Sequence, residues 1–292
     1  MKNLMNTTAV KTLQILNWVF FLTMVFVNFL ANYLPINGKN TGQLSNQYPN
    51  LFVPAPITFA IWGVIYLLLL IYCLKQSKGL FSSVVDNITA QTVLTVGFRF
   101  IITCVINATW IFAWHYEYVG ASVVIMLLFL AQLIDINKRL DTLTIYLSNT
   151  SRFAVKAPFG LYLGWISVAT VANITAFLVN IKWNRAGQTE VFWTCLLIMV
   201  AAFIISYTII KVRNFYIGLV VIWAFSGIIY ARLNAEVYQR FIVWTAVFGI
   251  GLVALLTIIE ISRAMFRKHE VFAVGQLDDS ITEIHESRPA KG

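Results

Sequence analysis

Long apolar runs broken by short polar stretches dominate this chain. Eight of them approach the roughly 20 residues that a helix needs to cross hydrocarbon: 12–31, 56–75, 93–114, 118–136, 157–181, 191–210, 215–231 and 241–261. The breaks are tight. His115-Tyr116-Glu117 divides the third run from the fourth, and Lys211-Val212-Arg213-Asn214 divides the sixth from the seventh. The pattern predicts an all-α polytopic transmembrane bundle of about eight spans. Composition agrees: 59% of residues are hydrophobic and only 11% are charged, against about 25% charged in soluble domains. Lipid is the solvent for most of the chain, and a bilayer is its first partner.

Charge refines the topology. Of 21 Lys and Arg, 15 fall on the side of the N-terminus and five on the other (Lys39, Lys182, Arg185, Arg232, Arg240), with Arg99 left inside a span. Cytoplasmic loops carry the basic excess. Both termini are therefore expected in the cytoplasm, in the cell (cytoplasmic) membrane, as an even number of spans requires. The net charge of +9 then reflects orientation and predicts no nucleic-acid partner. Cys73, Cys104 and Cys195 lie far apart in apolar runs, and His115, His269 and His285 are scattered over loop and tail. No metal site, no phosphate loop and no hydrolase motif emerges, and no catalytic residue is assigned.

The longest external loop, 32–55, is rich in Asn, Gly, Gln and Pro yet keeps Leu34, Leu44, Tyr48, Leu51 and Phe52. Turn residues with that apolar content predict a lid folded over the helix ends. Its last residues, Leu51, Phe52 and Pro54, lead into the second span. Beyond residue 265 the chain turns polar, with Asp278, Asp279, Glu283 and Glu286. It lacks apolar periodicity and predicts a partly disordered cytoplasmic tail over 266–292.

Three spans carry a face that lipid contact alone does not require. The second follows Pro54-Ala55-Pro56 and aligns Phe59, Trp62 and Tyr66, an aromatic face with Gly63 beside it that can pack on another helix or line a pocket. The third aligns Arg99, Thr103, Asn107, Trp110 and Trp114, and the fifth Tyr162, Trp165, Ala169 and Asn173. Trp183 and Trp193 fit an interfacial belt. Trp62 and Trp165 sit about 9–13 Å deep by the predicted boundaries. Asn107 and Asn173 either join helices or meet a ligand. Arg99, about 9 Å inside its span, either snorkels to the interface or faces a carboxylate: a ligand's, Asp135 or Glu260.

These residues resemble the TspO/MBR family, the tryptophan-rich sensory or translocator proteins. The family's Pro-initiated second helix with Trp and Tyr four apart is matched by Pro54, Trp62 and Tyr66. Its third-helix Asn-x-x-Trp is matched by Asn107 and Trp110. In its fifth helix, Tyr-x-x-Trp and Ala-Thr-x-x-Asn are matched by Tyr162, Trp165, Ala169, Thr170 and Asn173. The resemblance covers about residues 12–181. It departs at the sterol-recognition segment, where Val171 stands for the family's Tyr, and so points to tetrapyrroles more than to sterols. It implies a five-helix domain over 1–185 with a capping loop, three additional spans over 186–265, and the tail.

Family members bind porphyrins and haem-related tetrapyrroles, with sensory, translocating or, in some, light-dependent porphyrin-degrading roles. By that resemblance Phe59, Trp62, Tyr66, Asn107, Trp110, Trp114, Tyr162, Trp165, Asn173 and Arg99 would form a ligand site; no cofactor is obligatory, and a porphyrin or haem-related tetrapyrrole is the ligand it admits. A homodimer is admitted by the same resemblance. Two other functions are compatible with the residues. One is a transporter or flippase for a lipid or other amphiphile, which Arg99, Asp135 and Glu260 in one wet cavity would favour. The other is oxidative chemistry on a bound porphyrin, centred on Trp62 and Trp165.

Overall fold

The computed structural model describes residues 7–34, 36–144 and 147–286, and side chains as far as residue 266. The described chain is helical, with eight helices long and apolar enough to cross a membrane and no strand among the described residues. Pro35, Lys2, Arg288 and Lys291, placed in loop and tails from the sequence, lie outside the described residues.

The spans are α1 (Thr7–Tyr33), α3 (Ile61–Gln76), α5 (Phe98–His115), α6 (Val119–Thr144), α7 (Asn149–Asn180), α8 (Glu190–Val212), α9 (Tyr216–Leu233) and α10 (Arg240–Glu286). Two short helices complete the set: α2 (Thr41–Asn46) and α4 (Asn87–Val96). A 3₁₀ turn, Pro56–Ala60, leads directly into α3. Local chemistry sets several starts. Asp86 caps α4 by accepting the Thr89 N–H at 3.0 Å, and Thr189 caps α8 by accepting that of Phe192 at 3.1 Å.

Helix α7 is the axis. Every residue from Ala154 to Ile166 is buried, as expected of a helix that is apolar all round. It packs on α6 and α3 on one side and on α9 on the other, while α8 and α9 both lean on α10. Its Phe159 joins Tyr72 of α3 and Phe100 of α5 in an edge-on aromatic triangle with centroids 5.0–5.9 Å apart. The α7–α9 contact is close because Gly160 and Gly164 face it. A Cβ on Gly164 would stand 2.6 Å from the Ile217 carbonyl oxygen, and one on Gly160 would stand 2.6 Å from the Asn214 amide. The small-x-x-x-small spacing lets two backbones meet in an apolar medium.

A polar knot reinforces that junction at the end away from the loop 34–55. Lys156 donates to Asp141 at 3.2 Å and to the Arg213 carbonyl at 2.7 Å. Asn214 donates to Asn137 Oδ1 at 2.8 Å and to the Lys156 carbonyl at 3.0 Å.

Three expectations change. The third span starts at Phe98 rather than 93, because Gly97 (φ +49°, ψ −140°) breaks α4 from α5 in a region that side-chain-bearing residues rarely enter. The fifth starts at Asn149 rather than 157, since Arg152 and Lys156 continue a helix as readily as apolar residues do. The tail is not irregular as far as Glu286, since α10 continues to that residue. No proline interrupts it before Pro289.

Candidate functional site

The head of α3 carries the site. Phe59, Trp62 and Tyr66 project from successive turns toward α5 and α7, as their spacing predicts. Trp62 is the hub. It stacks on Tyr66 (centroids 5.6 Å, 25°) and meets Tyr162 and Trp165 edge-on at 5.9 and 6.0 Å, both at 80°. Phe59 closes on Trp165 edge-on at 5.7 Å, and Trp110 stacks on Trp114 at 5.9 Å. Edge-to-face and offset pairs of this kind contribute about 0.5–1.5 kcal/mol each beyond area burial.

A cavity of about 800 Å³ opens on this wall, within the size range of small-molecule sites. Phe59, Trp62, Tyr66 and Trp110 line its floor, α1 contributes Asn28, Phe29, Asn32 and Tyr33, and the loop contributes Asn40 to Gln43, Ser45 and Asn46 with Val53 and Pro54. An inner recess of about 60 Å³ continues from it past Trp62 and Trp110 to Trp114, Trp165, Ala169 and Asn173. Among the described residues, no charged side chain lines either chamber. At the opposite end, α1 is tied to the foot of α3, where Asn17 donates to Gln76 Oε1 at 2.7 Å and Trp18 to Ser77 at 2.7 Å. The two helices thus meet below and flank the cavity above.

The deep amides are joined to other helices. Asn107 donates to the Tyr162 hydroxyl at 2.8 Å and accepts from Asn28 at 2.6 Å. Asn173 accepts the Trp110 indole N–H at 3.1 Å and donates to Ser122 at 2.9 Å. Each amide bridges three helices and fixes an aromatic wall residue. The indole N–H of Trp165 differs: it is buried and has no acceptor, although Trp165 lines the recess.

The loop covers the cavity as a small folded cap. Helix α2 is held by a capping box, in which the Gln43 N–H donates to Asn40 and the Gln43 side chain accepts the Asn40 N–H. Leu44 and Phe52 are fully buried beneath it. His115, buried at the end of α5, pins the loop through Nδ1 to the Ile36 carbonyl and Nε2 to the Thr41 hydroxyl, both at 3.1 Å. A neutral ring donating from Nδ1 and accepting at Nε2 satisfies both. Val53 and Pro54 line the cavity, whereas Leu51 and Phe52 anchor the loop without lining it.

Two of the last three spans, α8 and α9, grip the same segment. Glu190 at the head of α8 accepts the Leu51 N–H at 2.8 Å. The Ala55 N–H donates to the Gly227 carbonyl at 3.0 Å, and the Trp223 indole donates to the Thr58 carbonyl at 2.9 Å. Thr58 nests so closely on α9 that a Cβ on Gly227 would stand 2.0 Å from its hydroxyl.

Nine of the ten expected ligand residues are thus brought around one place, and Arg99 is not. It is the second residue of α5 rather than deep in a span, and it pairs with Asp135 in a separate depression. Glu260 is not a wall of that depression and pairs with Arg263 on its own helix at 3.8 Å. The sequence analysis missed Asn28, Ser122, His115, Glu190 and Gly227. Only the Gly160/Gly164 spacing and the Asn40/Gln43 box carried a local signal, since the other contacts join residues far apart in the chain.

A family model described as TSPO-like protein matches residues 14–259. The match continues past residue 181, where the quoted motifs end, and takes in the last three spans. No curated protein and no solved structure matches. An eight-helix membrane bundle, the aromatic wall under a folded loop, and a family match over most of its length agree: this chain belongs to the TSPO-like protein family.

Proposed function

We propose that the protein binds a flat, hydrophobic ligand of the tetrapyrrole class beneath the loop, in a sensory or translocating role, with its basic end in the cytoplasm. The observation that carries this is the Trp62 cluster at the floor of an 800 Å³ cavity. Trp62 and Tyr66 offer a π surface for stacking. The unbonded Trp165 N–H offers one donor that a ligand acceptor in the recess would satisfy, since a buried orphan donor costs about 1–3 kcal/mol.

The lining also refines the ligand. Its polar groups are amides and hydroxyls, with no cation to meet a carboxylate. A porphyrin whose propionates are esterified suits the site better than the free dicarboxylate, because bringing an unpaired carboxylate out of water is costly.

The test is a titration of detergent-solubilised protein with a porphyrin dimethyl ester and with the free acid. Tryptophan quenching and the Soret shift would be followed in wild type and in Trp62→Leu/Trp165→Leu. Saturable ester binding that weakens tenfold or more in a folded double variant is expected. Equal binding by the variant would reduce the aromatic wall to helix packing.

A further inference from the structure

A second depression, of about 450 Å³, lies between α1, α4, α5 and α6 at the end of the bundle opposite the loop. Its walls are Leu13, Leu94, Phe98 and Ile102, with Arg99, Gln132 and Asp135 at its base. Gly97 shapes it: the break there turns α4 away from α5. Leu94, Phe98 and Ile102 remain 43–62% exposed on helices that belong in a bilayer, so the depression opens toward lipid.

Its charge is unbalanced. Arg99 Nε donates to Asp135 Oδ2, and Arg139 Nε donates to both Asp135 oxygens at 3.2 and 3.0 Å. One carboxylate thus sits between two guanidinium groups and leaves one positive charge over. Both arginines engage Asp135 through Nε, and neither terminal Nη pair is hydrogen-bonded to a described residue. A guanidinium with two free parallel N–H groups matches a phosphate bidentately. Lys75, Lys78 and Lys138 belong to the same basic end by the order of the spans.

We propose that this depression binds the phosphate of an anionic phospholipid, with Arg99 and Arg139 on the headgroup and an acyl chain along Leu13, Leu94 and Ile102. Free inorganic phosphate shares the headgroup chemistry but gains nothing from the apolar walls. The site is independent of the cavity beneath the loop.

The experiment is native mass spectrometry of the full chain released from micelles. The micelles would hold equal amounts of phosphatidylglycerol and phosphatidylcholine of the same acyl chains. Wild type should retain phosphatidylglycerol preferentially. Arg99→Gln should lower that preference about fivefold, the scale of one basic residue at an anionic surface. Asp135→Asn, which removes the competing carboxylate, should raise it, an opposite change that a folding defect would not produce. Equal retention of both lipids by wild type, or a fall in Asp135→Asn, would overturn the proposal. So would complete displacement by millimolar inorganic phosphate at constant ionic strength, which would mark a free-phosphate site.

Discussion

Replacing Gly164 by alanine probes the junction on which the site depends. The new methyl would stand 2.6 Å from the Ile217 carbonyl oxygen, 3.2 Å from its Cα and 3.3 Å from its carbonyl carbon. All three are backbone atoms of the α9 entry, so no rotamer change relieves the clash. Ordinary contact at 3.4 Å requires α9 and α7 to part by about 0.8 Å locally. Interiors packed at crystal-like density resist such shifts, and overpacking costs typically about 1–3 kcal/mol. Gly251→Ala on α10 is the control, because no atom lies within 4 Å of its new methyl. There only the helical gain from glycine to alanine remains, about 0.5–1 kcal/mol. The same gain accompanies Gly164→Ala and cancels, so reversible unfolding in mixed micelles, followed by far-ultraviolet circular dichroism, should separate the two variants by about 1–3 kcal/mol. If both change stability by the same amount, the close α7–α9 approach is not what holds the bundle.

Two further outcomes are expected. Glu190→Ala removes the acceptor of the Leu51 N–H. A hydrogen bond to a charged group contributes about 1.5–3 kcal/mol, discounted here for the exposure of Glu190, so amide exchange at Leu51 should quicken about three- to tenfold while the Ile65 amide is unaffected. For α4, burial alone would raise the Asp86 carboxyl. The Thr89 N–H, the Thr89 hydroxyl and Lys78 outweigh that and hold it below its ordinary 3.8. The folded value being the lower, the cap's stabilisation is complete above the ordinary value and is lost as pH falls below it. Amide protection in α4 should therefore drop below about pH 4 in wild type and stay flat with pH in Asp86→Asn.

Much of this architecture was legible because the bilayer imposes length and polarity on every span. The aromatic and amide residues were legible too: Trp62, Trp165, Asn107 and Asn173 stand at helical spacing where lipid contact gives them no purpose. Their partners were not. Asn28 and Ser122 look like ordinary polar residues in α1 and α6 until folding brings them within 3 Å of Asn107 and Asn173. Arg99 was misplaced because hydropathy runs smoothly across Gly97, and only the glycine's conformation divides helix from helix. The attachment of the loop to Glu190, 139 residues away, leaves no trace in local pattern.

That attachment makes the loop, α8 and α9 one thermodynamic system. Opening the segment from Leu51 to Thr58 breaks its bonds to Glu190, Gly227 and Trp223. On the proposed reading, the free energy of admitting a ligand by that route includes the strength of those bonds. Linkage runs both ways. A ligand that favours the closed loop tightens α8 and α9 against it, and anything that displaces α9 alters affinity beneath the loop by the same factor. On the proposed reading, α8 and α9 thereby offer a lever on the cavity from outside it.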